Sequence, residues 1–250
     1  FMKNEAGIFG LRPVIEAIEA GKTIDKIFIQ KGLQGEIFSE LRKLITEYEI
    51  PVSYVPVEKL NRFTGKNHQG VYAFVSPIEF DSIEYVLPQI WENGKTPFIL
   101  ILDRVSDVRN FGAIARTAEC VGVDAIIIPL KGSASVNADA IKTSTGALYN
   151  IPVCKEGNLV NVIRYLQSAG ISVYSASEKS ADFIYDADFS VPTAIVMGSE
   201  EDGVSDSILK VSDKMIKLPM TGQTASLNVS VAAGAILYEA VRQRINQNLF

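Results

Sequence analysis

Five short runs constrain this chain most: FILILD from Phe98, DAIIIP from Asp124, ISVYSAS from Ile171, TAIVMG from Thr193 and KMIKLP from Lys214. The best of them are apolar with hardly an interruption. A strand with one wet face alternates apolar and polar residues, whereas one that is apolar throughout is covered on both faces. Stretches with helical spacing separate these runs, and that order predicts a parallel sheet with helices on both sides. Ligands of such sheets bind beyond the carboxyl ends of the strands. Three ends are chemically loaded here: Asp103 onward, Gly198 onward and Pro219 onward.

The first 75 residues repeat the rhythm on a smaller scale. GLRPVIEAIEAG has helical spacing at Val14, Ile15 and Ile18 and a stop at Gly21, KIFIQ is a strand, EIFSELRKLITEYE a helix, and VSYV and GVYAFVS are strands. The segment 76–97 carries Pro77, Pro88 and Pro97 around one helical pattern from Ile83 to Trp91. The expected division is a small α/β domain over 2–75, a linker with a helix over 76–97, and a larger α/β domain over 98–250. The last helix is expected from about Leu227 to Asn246, with Ser226 able to cap it.

With 47% apolar and 21% charged residues the chain reads as globular rather than disordered. No apolar run approaches the roughly 18 residues of a membrane span. No signal peptide is read ahead of the first periodic segment, and Phe1, preceding Met2, is set aside as a cloning remnant. Cys120 and Cys154 lack metal-ligand spacing and read as buried thiols of a cytoplasmic protein. The net charge of −5 is uneven: through residue 75 there are ten Lys and Arg against nine Asp and Glu, and fourteen against twenty beyond. Nucleic-acid binders usually carry a basic excess, so any such contact here must rest on local patches.

The chain holds neither the glycine fingerprint of a dinucleotide site nor that of a phosphate-binding P-loop. His68, the one histidine, lies in the small domain, so the larger domain has no Ser-His-Asp triad, no histidine-activated cysteine and no histidine metal site. Its chemistry must come from Arg, Glu, Ser, Asn and backbone groups. VRNFGAIARTAECVGV, from Val108, puts Arg116 among Gly and Ala on a helix with an apolar stripe at Phe111, Ile114, Ala118 and Val121. VMGSEEDGVSD brackets three acids between Gly198 and Gly203; taken alone it is an ordinary solvated loop before a helix start. In LPMTGQTASLNVSVAAGAILYEAVRQR, Asn228 and Ser230 are poor helix formers in an apolar first turn. The Ala232–Ala235 run that follows suits close helix packing, including across a dimer.

Together these three segments closely resemble the motifs of the SpoU (TrmH-like) family of the SPOUT superfamily, RNA 2′-O-ribose methyltransferases. The matches are Asn110, Gly112, Arg116, Thr117 and Ala118 in the first, Gly198, Glu200 and Gly203 in the second, and LPMTGQTASLNVSVA almost without a gap in the third. IFGLRPVIEAI and KNHQGVYAFV resemble the small substrate-binding domain of bacterial enzymes that methylate a guanosine of large-subunit ribosomal RNA. The likeness thus spans nearly the whole chain.

The resemblance implies a small N-terminal domain like ribosomal protein L30e, and a SPOUT α/β domain with a parallel sheet and a C-terminal trefoil knot. It implies S-adenosyl-L-methionine as methyl donor, no metal, and a homodimer formed through the last helix. Arg116 would be the catalytic arginine, with the small residues around it leaving room for a nucleotide. Asn110, Glu200, Ser226 and Asn228 would orient it and the target. The cofactor would lie against Met197, Gly198, Leu218, Met220 and Leu227, and RNA would meet Arg12, Lys66, Asn67, His68 and Gln69. Two other readings stay open: a tRNA ribose as substrate, and a non-catalytic RNA-binding assembly factor. The filled polar motif positions argue against the latter.

Overall fold

The computed structural model describes residues 7–223 and 226–247, which divide into two compact units with the boundary between Glu79 and Phe80; the short segment 135–138 is grouped with the first. The first unit runs β1 (Gly7–Phe9), α1 (Leu11–Glu19), β2 (Ile24–Gln30), α2 (Glu36–Glu47), β3 (Val52–Val55), α3 (Val57–Phe63) and β4 (Val71–Val75). Its sheet has the order β1-β4-β2-β3, antiparallel except for the β2–β3 pair. One face is aliphatic: Val14, Ile15 and Ile18 of α1 and Phe38 and Leu41 of α2 close over Ile27, Ile29, Val71 and Ala73. The other face is aromatic, with Phe28, Phe74 and Tyr72 packed against Leu60 and Phe63 of α3. β1 and α3 are too short to leave a periodic pattern in the sequence.

The second unit contains α4 (Ile83–Glu92), β5 (Phe98–Leu102), α5 (Val108–Cys120), β6 (Ala125–Pro129), α6 (Ala138–Thr143), β7 (Val153–Glu156), α7 (Leu159–Ser168), β8 (Ser172–Ala176), β9 (Thr193–Met197), α8 (Asp206–Leu209), β10 (Lys214–Ile216) and α9 (Val229–Ile245). Its six strands have the order β10-β8-β9-β5-β6-β7 and are parallel throughout. This is the mixed α/β architecture with a parallel sheet that the apolar runs predict. Every residue of β5 and β9 is buried, as strands covered on both faces require. On one face Ile99, Ile101, Ala194 and Val196 meet α7, α8 and α4. Phe98 faces the other way, with the guanidinium of Arg244 of α9 4.5 Å from its ring centroid.

The helix within 76–97 is not a free connector. Ile83, Val86, Leu87 and Ile90 of α4 are buried in the second unit's core beside Ile99 and Ile127. The chain steps outward from β5 to β6 and β7, then crosses the sheet to β8 and returns as β9 between β8 and β5. The strand order thus reverses between β5 and β9, and ligands bind near the carboxyl ends of strands at such switches.

Two expectations fail locally. Cys154 is buried but Cys120 is exposed: it falls between Ala118 and Val121 of the buried stripe and points to the opposite side of α5. The last helix begins at Val229 with Asn228 as its N-cap, so Ser226 lies outside it. Among the described residues no helix is long and apolar enough to cross a membrane.

Candidate active site

The chain after β5 turns into α5 at Asp107, whose carboxylate accepts from the backbone N–H of Asn110 at 2.8 Å. That cap fixes the first turn of α5 and holds Asn110 near the start of α9. After β9, Ser199 and Gly203 exchange backbone hydrogen bonds of 3.2 and 3.0 Å, closing a tight turn that lifts Glu200 out of the sheet. Gly198 is obligatory there, because a Cβ on it would lie 2.0 Å from the Gly203 carbonyl carbon and 2.1 Å from the Val204 nitrogen. Gly203 itself takes φ +67°, which suits glycine.

Asn228 joins the three segments. Its Oδ1 accepts from the N–H of Ser230 at 2.9 Å, the N-cap bond of α9. Its Nδ2 donates to Oε1 of Glu200 at 2.6 Å and to Oδ1 of Asn110 at 3.1 Å. Beyond this junction a cavity of about 430 Å3 opens at the carboxyl ends of β8, β9 and β10. Met197, Gly198, Leu218, Met220 and Leu227 all line it, together with Glu200 and Ser226. Met220 and Leu227 are each 42% exposed, and apolar side chains at a cavity mouth suit a surface that a ligand covers. The lining also holds Glu178, Glu201 and Asp202 against Lys179 and Lys217, so with Glu200 its formal charge is negative.

Arg116 lies on the exposed side of α5, and no hydrogen bond or ion pair holds it among the described residues. The small residues beside it do not leave room for a nucleotide. Gly112 packs on α6, where an added Cβ would meet Thr143 Cβ at 2.7 Å and the Ala140 carbonyl oxygen at 3.0 Å, and Ala115 and Ala118 are fully buried. Their size serves helix packing.

In the first unit Gln69 accepts from the N–H of Leu11 at 3.1 Å, bringing the 66–69 loop to the start of α1, where Arg12 sits paired with Glu40 at 3.2 Å. Lys66 and Asn67 are exposed. His68 is buried: its Nδ1 accepts from the N–H of Gly70 at 3.0 Å, and its Nε2 lies 2.9 Å from Asn61 Oδ1. With Nδ1 accepting, Nε2 carries the proton and donates. The ring is thus engaged inside its own domain, leaving Arg12, Lys66, Asn67 and Gln69 at the surface.

Two further groups shape the site. Ser177, Glu178 and Lys179 line the cavity after β8, a strand end that the carboxyl-end rule could have flagged. Arg104 braces the Ser199–Gly203 turn from the end of β5; its signal lies in backbone conformation and tertiary contact, which no motif displays.

Residues 97–238 match the model of the SpoU rRNA methylase family, and residues 8–81 match an RNA 2′-O ribose methyltransferase substrate-binding domain. The chain belongs to the SpoU methylase family. This SpoU protein is 37% identical over 241 residues to a TrmH family tRNA/rRNA methyltransferase of Staphylococcus saprophyticus, covering 96% of this chain and 97% of that one. Among solved structures, the SpoU methyltransferase AviRb of Streptomyces viridochromogenes in complex with AdoMet superposes with a TM-score of 0.62 at 25% identity, over 96% of this chain and 90% of that one. The A. aeolicus TrmH/SpoU tRNA modifying enzyme gives 0.57 at 31% identity, over 66% of this chain and 86% of its own. The SpoU chain is accordingly an RNA methyltransferase.

Proposed function

We propose that this SpoU enzyme transfers a methyl group from S-adenosylmethionine to a ribose 2′-hydroxyl of RNA, and that its substrate is a guanosine of large-subunit (23S) ribosomal RNA. The observation that carries the reading is the junction at Asn228. One side chain ties together α5, the turn carrying Glu200 and the start of α9 beside a cavity of small-molecule size, within the roughly 300–1,000 Å3 usual for such sites. The donor set fits the cofactor: apolar Met197, Leu218, Met220 and Leu227 for an adenine, bare backbone at Gly198, and an acidic lining for a cation.

Held there, S-adenosylmethionine would supply a methyl group on a positively charged sulfur, open to attack by a ribose oxygen with the thioether as leaving group. The protein's task is to orient a weak nucleophile and favour loss of its proton. Arg116, unpaired among the described residues, takes an RNA phosphate in its planar fork and lowers the pKa of the neighbouring 2′-hydroxyl by charge. A guanidinium holds its proton too firmly to serve as a base, so the electrostatic role is its main one. Asn228, Glu200 and Asn110 hold the floor of the site, and Ser226 stands at the rim.

The ribosomal reading draws on the N-terminal unit, which the likeness to the A. aeolicus tRNA enzyme, at 66% of this chain, does not fully span. A tRNA substrate is the second reading, favoured by that enzyme's 31% identity. Mapping ribose methylation by mass spectrometry in RNA from a deletion strain separates them: loss of one methylated guanosine in 23S RNA is expected, and loss confined to tRNA overturns the first.

We also infer a homodimer through α9. Val231, Ala235, Tyr238 and Ile245 stand exposed at helical spacing on one face, with Val231, Tyr238 and Ile245 more than half exposed. Arg242, paired with Glu239, interrupts the same face, and the apolar positions around it suit burial against a second copy.

A further inference from the structure

We propose that Arg104 is a positioning residue of the cofactor cavity: it clamps the turn after β9 against Gly198 and thereby sets the shape of the wall that carries Glu200. This inference rests on the reading that S-adenosylmethionine occupies that cavity.

Arg104 is the second residue beyond β5, and its φ is +61°. That left-handed conformation is open to glycine and strained for an arginine, because the Cβ crowds the backbone. Such strain persists where surrounding structure holds it, and it gathers at functional sites. Here the side chain explains the constraint. Nε donates to Oδ1 of Asp103 at 3.2 Å, Nη1 donates to Oδ2 of Asp202 at 3.2 Å, and Nη2 donates to the carbonyl oxygen of Gly203 at 3.2 Å.

These contacts differ in weight. Asp202 is well exposed, so its ion pair contributes little. Asp103 is buried and its Oδ2 accepts from the N–H of Ser205 at 2.7 Å, so that carboxylate is a fixed anchor. The Gly203 carbonyl is the decisive partner. It is part of the backbone packed on Gly198, where an added Cβ would lie 2.0 Å from its carbon and 2.3 Å from its oxygen. Gly198, Glu200, Asp202 and Gly203 all line the cavity, whereas Arg104 does not. A guanidinium that stays outside the cavity thus holds the far end, Asp202 and Gly203, of the chain segment that forms one of its walls. A single planar fork spanning an anchored carboxylate, a second carboxylate and a carbonyl is something an ammonium cannot reproduce.

Arg104→Gly separates positioning from general stability, since glycine takes the same φ without strain. Three measurements on the full-length protein decide it: thermal unfolding without ligand, amide hydrogen exchange, and titration with S-adenosylmethionine. In the variant the unfolding midpoint should stay at or above that of the parent protein. The Gly203 and Ser205 amides should exchange faster while those of β5 and β9 stay protected. The Kd for S-adenosylmethionine should rise about tenfold or more, as expected when a charge-assisted contact to the wall is lost. In turnover the loss should appear mainly in KM for the cofactor, with kcat less affected. Arg104→Lys should recover only a small part. Unchanged exchange at Gly203 and Ser205 together with parental affinity would overturn the proposal. If the parent protein binds no S-adenosylmethionine, the functional reading fails instead, and the exchange comparison still decides whether Arg104 clamps the turn.

Discussion

Arg116 makes no hydrogen bond or ion pair among the described residues and stands in water on α5. Its replacement should therefore leave the fold within about 0.5 kcal/mol, the usual range for surface positions. Arg116→Ala should keep cofactor binding in calorimetry while methyl transfer falls by about a hundredfold or more, the scale of a lost charge-stabilising group. Arg116→Lys should rescue little, and substantial turnover in it would remove the argument from the planar fork. Asn228 is the opposite case, because the fold depends on it. Asn228→Ala removes a helix cap worth about 1 kcal/mol and frees Glu200 and Asn110 at once, so stability and activity should drop together. The thiols differ in the same spirit. Burial, with Glu156 and Asp81 nearby, pushes Cys154 up to about 12, whereas Cys120 is exposed. A thiol reagent should modify Cys120 in the native protein and Cys154 only on unfolding.

At the scale of elements, α9 carries both the junction at its start and an unusual anchor at its end. Arg244 is 3% exposed and donates to the carbonyls of Thr96, Pro97, Phe189 and Val191 at 3.0 Å each. Burial lowers its pKa, with Asp124 acting weakly the other way. Removing the guanidinium takes a donor from four carbonyls, of which Pro97 and Val191 still accept from Thr193, so Arg244→Ala should cost about 2–5 kcal/mol in denaturant unfolding, about 1–3 for each acceptor left unpaired. One turn earlier Glu239 is held below the usual carboxylate range by hydrogen bonds from Arg242. A depressed folded pKa gives stability that is present above the ordinary value and lost as pH falls through the folded one. Glu156 is raised by burial and behaves in reverse, giving stability present below its ordinary value and lost as pH rises through the raised one. Urea midpoints between about pH 7 and pH 3 should therefore fall with acid less steeply in Glu239→Gln than in the parent protein. Tyr238→Glu, in mid-stripe, should give a monomer by light scattering if α9 is the dimer face.

The elements themselves were legible to different depths, for identifiable reasons. FILIL and TAIVM could only be strands buried on both faces, and they are. The stripe at Phe111, Ile114, Ala118 and Val121 faces the core as its spacing requires. Cys120 misled because residue type suggested burial while phase along the helix forbade it. The smallness of Gly112 and its neighbours fits either space for a ligand or close helix packing, and only the position of α6 shows which applies. His68 was read as an outward polar group, but a histidine followed by Gly70 in a tight turn can spend its ring on the backbone. Arg104 left no trace at all, since neither its φ nor its partners 98 and 99 residues away can be read locally.

For the whole molecule, each unit has its own core, aliphatic under α1 and α2 in the first and around β5 and β9 in the second. A chain so divided can lose one unit and keep the other folded, provided that the cut respects the cores. It must fall at Glu79, because Ile83, Val86, Leu87 and Ile90 of α4 belong to the second. Removing residues through 79 should then leave the cavity and cofactor binding intact, since all of its lining residues lie beyond the cut. Action on the correct RNA should be abolished if the first unit is the selector through Arg12, Lys66, Asn67 and Gln69. Charge sets a second expectation on the same protein. With ten Lys and Arg against nine Asp and Glu through residue 75, and fourteen against twenty beyond, few phosphates can be neutralised. Each phosphate contact to single-stranded nucleic acid contributes about −0.7 to the slope of log K against log salt, so the intact enzyme should show a shallow slope for an RNA binder. Filter binding across a salt series and methylation by the truncated protein test both points. Unchanged methylation of the same nucleotide after truncation would show that the first unit does not select. A steep slope would mean that the fold gathers its cations into one patch, setting a locally positive surface within a chain of net charge −5.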